Sequence, residues 1–203
     1  MLAKAMSLFL LGLVRLLTGA QARWYGCPPK AEQRIYFANH QSHADLVMIW
    51  AALPQELRSI TRPIAAKDYW TASKLKRWIT TEVFNAVYVD RAHTAEQDPL
   101  EPLVQALESG DSIIIFPEGT RGFAEEPQPF KAGLYNLALR FPGVVLVPAW
   151  IANVQRVMPK GEVVPVPILC SVTFGKPVEL QPGEDRHDFL ARARQAVIAL
   201  RDV

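Results

Sequence analysis

The five residues 112–116, SIIIF, constrain the fold of this chain more than any other segment. A continuous apolar run of this length is typical of a strand buried on both faces of a parallel sheet. Shorter strand-like runs and helix-like segments alternate along the rest of the chain. The strand-like runs cover residues 34–38, 64–66, 86–89 and 144–147, with another within 165–174, and helical patterns cover 45–53, 69–79, 99–109, 131–140 and 187–201. The alternation predicts a single α/β domain with a mainly parallel central sheet flanked by helices.

Composition excludes several classes of protein. Half of the 203 residues are hydrophobic, so the chain can bury a sizeable core and is not intrinsically disordered. The 22 Lys and Arg residues nearly balance the 20 Asp and Glu residues, which leaves a net charge of +2 and indicates no nucleic-acid partner. Cys27 and Cys170 lie far apart and cannot build a disulfide framework, so we expect a reduced, cytoplasmic environment.

The N-terminal segment 1–26 has the pattern of an amphipathic helix at a membrane surface. Its uninterrupted apolar run, residues 5–14, is shorter than the ~20 residues that a membrane-spanning helix needs. A wide apolar face lies opposite a narrow polar one, and Trp24 and Tyr25 follow as interfacial aromatics. The narrow face carries Lys4, Ser7, Arg15, Thr18 and Ala22. We therefore expect residues 1–26 to form a membrane-associated helix and residues 27–203 to form the folded domain.

Two other interpretations of this segment remain open. Lys4, the apolar run and the small residues Ala20 and Ala22 also fit a signal peptide, although Arg15 lies at the end of its core. The same helix can instead dock on its own domain.

A short polar segment, residues 39–45, follows the first strand-like run and precedes an apolar helix. His40 can act as a general base near neutral pH. Asp45 lies in the first helical turn, where its carboxylate can hold Nδ1–H of His40 and leave Nε2 free to accept a proton. Ser42 and Asp45 also have the spacing of a helix capping box, and the two roles are compatible. A metal site built from His40, His43 and Asp45 is a weaker alternative, because no further ligand cluster follows.

A second polar turn, residues 116–122 (FPEGTRG), follows the most apolar strand. Its glycines allow backbone N–H groups to face a bound anion, and Arg121 offers a planar fork for a phosphate. Lys131 then begins the next helix, whose N-terminus favours negative charge. The alternative is a plain tight turn in which Glu118 and Arg121 form a local ion pair.

Two weaker features complete the set. Arg91 leaves the end of the strand-like run 86–89 on the rim where we expect the other polar segments, and Val147-Pro148 ends a buried apolar strand. Arg91 alone is typical of a surface residue, and Pro148 alone is explained as the end of a strand.

These four segments, in this order, resemble the motifs of the PlsC-type glycerolipid acyltransferases, the lysophosphatidate acyltransferase-like family. The matches are Asn39-His40 through Asp45, Tyr88 through Arg91, Phe116 through Arg121 with Lys131-Ala132-Gly133 downstream, and Val147-Pro148. The resemblance covers residues 30–175, and the first and third motifs together are highly specific.

The resemblance implies an O-acyltransferase of phospholipid biosynthesis. It would move a fatty acyl group from acyl-CoA or acyl-ACP to a hydroxyl of a lysophospholipid, with lysophosphatidate as the first candidate. No cofactor and no metal are implied, because the thioester co-substrate is already activated. His40 is then the general base, which Asp45 holds. The residues expected to bind substrate are Arg91, Glu118, Gly119, Thr120, Arg121 and Lys131. Because a carboxylate repels phosphate, we expect Glu118 to orient Arg121 or to bind an acceptor hydroxyl.

The expected partners are a membrane lipid surface, the acyl donor and the lysophospholipid acceptor. The expected location is the cytoplasmic face of the inner (plasma) membrane. The basic residues Lys74, Lys76 and Arg77 would attract anionic lipids or the acidic donor carrier.

Two positions depart from the family's pattern and leave the acceptor's identity open. Asn85 stands where the second motif commonly opens with Gly, and Gly122 stands where Ser often follows the third. Two other functions also remain open: a lipid-binding membrane protein without catalysis, and a metal-dependent hydrolase that uses His40, His43 and Asp45.

Overall fold

A seven-stranded sheet lies at the centre of the computed structural model, which describes residues 2–42, 44–90, 98–122, 124–153 and 168–203. Within these residues the spatial order of the strands is β1-β7-β6-β2-β5-β3-β4. The strands are β1 (Gln21–Trp24), β2 (Arg34–Ala38), β3 (Thr61–Ala66), β4 (Val87–Val89), β5 (Ser112–Ile115), β6 (Val145–Ala152) and β7 (Ser171–Phe174). Neighbouring strands run parallel except for the pair β6 and β7, which confirms the prediction of a mainly parallel sheet.

Helices cover both faces of this sheet and explain why β5 is predominantly apolar. The helices are α1 (Leu2–Thr18), α2 (Asp45–Ala52), α3 (Gln55–Ser59), α4 (Lys67–Trp70), α5 (Lys74–Trp78), α6 (Glu101–Glu108), α7 (Gly133–Arg140) and α8 (Arg186–Ile198), with a π-helical turn at Ile79–Val83. Ile114 belongs to the core on the α1 and α2 side, whereas Ile113 and Ile115 belong to the core under α6, α7 and α8. Both faces of β5 are therefore buried, as the sequence predicts.

The strand β6 continues beyond Pro148, so the prediction that this proline ends a strand is wrong. Residues 145–149 pair with β2, and residues 149–152 pair with β7. The carbonyl of Pro148 accepts a hydrogen bond from Gly175 N–H, so its backbone polar groups face away from β2. Its missing N–H therefore costs the β2–β6 ladder nothing.

An edge strand, β1, occupies part of the segment that the sequence pattern assigns to the N-terminal helix. The helix ends at Thr18, and β1 then pairs in parallel with β7. Trp24 stacks on Phe174 with 4.1 Å between ring centroids, which fixes the strand on the sheet. The exposed pattern of β1 gives no alternation that would predict a strand.

Helix α1 packs on its own domain along one side and is exposed along the other. Leu11 and Thr18 are buried, and the helix contacts α2 and the π-helical turn. Its outward apolar side chains are exposed: Leu2, Leu8, Phe9, Leu13 and Leu16. Docking on the domain and contact with lipid are thus compatible for this helix. Within the described residues, no helix has the length and apolar content needed to cross a bilayer.

Candidate active site

The carboxyl ends of the neighbouring parallel strands β2, β5 and β3 lie at one end of the sheet and bring two of the predicted site residues, His40 and Gly119, together. His40 follows β2 and Gly119 follows β5, and both line a cavity of about 190 Å³. The other walls include Leu46, Ile64, Ala66, Tyr69, Trp70 and Phe116. The first and third sequence motifs therefore share one cleft, at the position where ligands commonly bind in α/β folds.

His40 and Asp45 form the predicted pair. His40 Nδ1 lies 2.9 Å from Asp45 Oδ2, and the two side chains are 14% and 2% exposed. A carboxylate at Nδ1 favours the tautomer with the proton on Nδ1, so Nε2 can accept a proton. The imidazole also stacks on Phe116 with ring centroids 4.3 Å apart, which limits its rotation.

The carboxylate of Asp45 is fixed by the loop that carries His40. Its Oδ2 accepts N–H hydrogen bonds from Gln41 at 2.6 Å and from Ser42 at 2.7 Å. One half of the predicted capping box is therefore present, while Ser42 Oγ accepts instead from Ala44 N–H. A single carboxylate thus orients the histidine and supports the start of α2.

Glu118 lies beneath the same site and is 2% exposed. Its Oε1 accepts a hydrogen bond from His40 N–H at 2.7 Å, and its Oε2 accepts one from Gln128 N–H at 2.7 Å. Burial raises the pKa of this carboxyl above its ordinary value, and the two N–H donors oppose the shift. Glu118 and Arg121 form no ion pair in the part of the chain that the structure describes.

The loop after the third motif is fastened to the His40 loop by further hydrogen bonds. Gly122 N–H donates to the His40 carbonyl at 2.8 Å, and Gln41 Nε2 donates to the Ala124 carbonyl at 2.8 Å. From the other side, Arg194 of α8 donates to the Pro127 carbonyl at 2.8 Å and pairs with Glu126 at 3.0 Å. The segment beside His40 is therefore held from the sheet and from the last helix.

Gly119 and Lys131 lie together at the opening of the site. Gly119 has φ +70°, and a Cβ at this position would lie 2.7 Å from Lys131 Nζ. Both residues line a second, larger cavity of about 530 Å³, which shares Ile64, Val89, Phe116 and Gly119 with the first. The lysine ammonium is thus positioned over a backbone that only glycine adopts without strain.

The remaining predicted site residues are not brought into these two cavities. Thr120 and Arg121 are exposed and line neither of them. Arg91 and His43 lie outside the described residues. Across the described ranges, no three His, Cys, Asp or Glu side chains gather as metal ligands.

Sequence reasoning missed the walls of the cleft. Tyr69 and Trp70 of α4 line the His40 cavity, whereas the sequence pattern predicts only a helix over residues 69–79 and names neither as a site residue. The ammonium of Lys76 lies 4.1 Å from the centre of the Tyr69 ring, so the basic segment borders the cleft. The cluster of aromatic and basic residues was the available signal, but only the fold shows which cavity it lines.

Comparisons with known proteins identify the family and the fold of this chain. The family model described as Acyltransferase matches residues 27–152. The human 1-acyl-sn-glycerol-3-phosphate acyltransferase alpha is 30% identical over 131 residues, which are 63% of this chain and 43% of that protein. Taffazin of Dictyostelium discoideum is 27% identical over 183 residues, which are 78% of this chain and 62% of that protein. This chain thus spans less than half the length of the human relative.

A solved structure shares the whole fold. The 1-acyl-sn-glycerophosphate (LPA) acyltransferase PlsC from Thermotoga maritima matches with a TM-score of 0.74 and 20% identity. The match covers 98% of this chain and 78% of that one. With the family model matching well over half of its length, this chain belongs to the acyltransferase family.

Proposed function

We propose that this protein transfers a fatty acyl group from acyl-CoA or acyl-ACP to a hydroxyl of a lysophosphatidate-like acceptor in phospholipid biosynthesis. The observation that carries the proposal is the pair of His40 and Asp45, whose Nδ1 and Oδ2 lie 2.9 Å apart at the edge of a cavity shared with Gly119. A histidine held in this way is a general base with its second nitrogen available.

The reaction needs no covalent enzyme intermediate. Nε2 of His40 takes the proton of the acceptor hydroxyl as the oxygen attacks the thioester carbonyl carbon. The new C–O bond replaces the C–S bond, and the leaving thiolate takes the proton back from the imidazolium. Asp45 stabilises the imidazolium while it exists. General-base assistance of this kind contributes about 10²–10⁴ in rate.

The opening of the site supports binding of a phosphate-bearing acceptor. Lys131 Nζ lies above Gly119, next to the His40 cavity. Arg121 is exposed and forms no ion pair with other described residues, so its guanidinium is available to a phosphate. Thr120 lies between them in the motif, and Arg91 joins the set through the family resemblance alone.

The larger cavity supports binding of the acyl chain. Its walls are mostly apolar and include Leu100, Leu103, Ile115 and Leu134. An acyl chain held there would exclude water from the thioester, which limits hydrolysis.

The exposed apolar face of α1 supports contact with a membrane surface. Leu8 and Phe9 are 69% and 63% exposed on its outward face, and the exposed Lys74 and Arg77 of α5 would attract anionic lipids. We place the enzyme at the cytoplasmic face of the inner membrane, where its lipid acceptor and its soluble thioester donor meet.

The function is tested with a panel of lyso-acceptors against one acyl-CoA and one acyl-ACP, read by mass spectrometry. We expect His40→Gln and Asp45→Asn to lower turnover by about 10²–10⁴. The control His187→Gln changes a histidine whose side chain is 91% exposed on α8 and should leave turnover unchanged.

Three results would contradict the proposal. Near-normal turnover by a folded His40→Gln variant would show that His40 is not the general base. A wild-type protein that binds lysolipid but consumes no donor would be a lipid-binding protein. Activity lost to a chelator, with stoichiometric metal in the protein, would favour a metal-dependent hydrolase.

Membrane contact is tested by sedimentation with vesicles of mixed phosphatidylcholine and phosphatidylglycerol. The double variant Leu8→Ser/Phe9→Ser should reduce the bound fraction, because it removes exposed apolar surface. Leu139→Ser, on the exposed face of α7, is the matched control and should not. If both variants bind the vesicles as well as the wild type does, α1 only docks on its own domain.

A further inference from the structure

The carboxylate of Glu118 joins two loops and is closed off from the cleft. It is 2% exposed, and it lines neither of the two cavities described above. Each oxygen accepts a backbone N–H at 2.7 Å, one from His40 and one from Gln128. Charge-assisted hydrogen bonds of this length are among the stronger ones in proteins.

This placement does not suit a ligand for the acceptor. Both oxygens already have donors, and a negative carboxylate would repel a phosphate. Gly122 lies directly over the carboxylate, since a Cβ at that residue would be 3.2 Å from Oε2. Glu118 is 2% exposed and lines neither cavity, so an acceptor hydroxyl in the cleft does not reach its carboxylate.

We infer that Glu118 is a positioning residue that acts through His40, not a residue that binds the acceptor. The inference rests on the proposed role of His40 as general base. It differs from the substrate-binding role that the motif resemblance implies for Glu118.

The backbone of His40 is held at both of its polar groups. Glu118 accepts its N–H, and Gly122 N–H donates to its carbonyl at 2.8 Å. Asp45 and Phe116 fix the ring. The two backbone hydrogen bonds fix the position of the His40 main chain, and the contacts with Asp45 and Phe116 fix the orientation of its ring. The buried negative charge of Glu118 also favours the imidazolium that forms during proton transfer.

The variant Glu118→Gln tests this role because it keeps the size of the side chain. Its amide nitrogen is a donor, so one of the two backbone N–H groups loses its acceptor, and the charge is removed. We expect kcat to fall about 10- to 100-fold, as a small displacement of a reacting group does. We expect the acceptor KM to change less than about threefold, equally for lysophosphatidate and for a phosphate-free monoacylglycerol.

A matched control separates this effect from a general loss of charge. Glu108→Gln removes a carboxylate from an exposed ion pair with Arg140 on the far side of the fold and should leave kcat unchanged. Circular dichroism and thermal unfolding establish that each variant is folded. Where Glu118→Gln does not fold, Glu118→Asp replaces it, because it keeps the charge but shortens the reach to His40.

A double-mutant cycle with His40→Gln decides whether Glu118 acts through the histidine. In the His40→Gln background, Glu118→Gln should lower the residual rate by less than about twofold. An equal fold-loss in both backgrounds would overturn the inference. A large rise in acceptor KM at constant kcat would also overturn it and return Glu118 to the acceptor site. Near-normal turnover by His40→Gln alone would instead count against the proposed function.

Discussion

Asn39 and Ile151 are joined by two hydrogen bonds that extend the β2–β6 pairing beyond the end of β2. Asn39 Nδ2 donates to the Ile151 carbonyl at 3.1 Å, and Ile151 N–H donates to Asn39 Oδ1 at 2.8 Å. The side-chain amide thus takes the place of a strand residue immediately before His40. Asn39 is 2% exposed, so these bonds form away from water.

The first prediction concerns this contact. Asn39→Ala leaves both backbone groups of Ile151 without that partner, at a cost of about 1–3 kcal/mol for each buried group. Urea unfolding should show the loss. The control Asn136→Ala removes an exposed amide of α7 and should change the unfolding free energy little. Equal, small changes in the two variants would show that the amide does not support the sheet.

The second prediction separates backbone strain from the position of Lys131. Gly119 has φ +70° and Gly110 has φ +85°, but only at Gly119 would a Cβ meet Lys131 Nζ. Alanine at either position should cost about 1 kcal/mol of stability because of the left-handed backbone. Gly119→Ala alone should raise the KM for a phosphate-bearing acceptor, since the ammonium must move. Unchanged KM in a folded Gly119→Ala would exclude Lys131 from acceptor binding.

The third prediction concerns Asn85, which replaces the family's usual glycine. Its φ is +48°, and it is exposed and lines neither cavity. Asparagine is the residue other than glycine that best tolerates this conformation. Asn85→Gly should therefore change stability by no more than about 0.5 kcal/mol, and Asn85→Ala should cost about 1 kcal/mol. The acceptor panel should give the same preferences for both variants. A changed preference would show that position 85 contacts the acceptor.

The fourth prediction is a pH dependence of stability. Arg192 donates two hydrogen bonds to Glu184, at 2.8 and 2.7 Å, and lowers the pKa of that carboxyl below its ordinary value. A depressed folded-state pKa stabilises the fold above the unfolded pKa of about 4.3, and this contribution is lost as the pH falls through the folded value.

The measurement compares the urea midpoints of the wild type and of Glu184→Gln. At neutral pH the wild type should be the more stable protein, and the difference should shrink as the pH falls below about 4. A difference that stays constant down to the lowest pH would show that the ion pair does not couple to protonation.

The sheet and the His40–Asp45 pair were predictable because their signals are local. The SIIIF run is apolar on both faces, and a carboxylate five residues after a histidine can reach it from the first helical turn. The edge strand β1 was not predictable, since it has no apolar alternation and depends on pairing with β7, about 150 residues away in sequence. The prediction that Pro148 ends its strand was wrong for a related reason. The side of the residue that lacks the N–H faces β7, and that direction is set by tertiary structure.

The role of Glu118 was also beyond sequence reasoning. The motif contains a glutamate whether its carboxylate is buried or binds the acceptor, so the sequence does not distinguish the two roles. Only the fold shows where the two oxygens point. The hydrogen bonds to His40 and Gln128 join segments that are 78 and 10 residues from Glu118. No local pattern encodes such a pairing.

Arg194, in the last helix α8, supports the segment beside His40. The match to the family model ends at residue 152, yet Arg194 braces residues 126 and 127, next to the amide that holds Glu118. The segment beside His40 is therefore held in part by a helix that lies beyond the residues matched by the family model. A substitution at Arg194 can therefore weaken the support of the segment beside His40 while every motif residue stays the same.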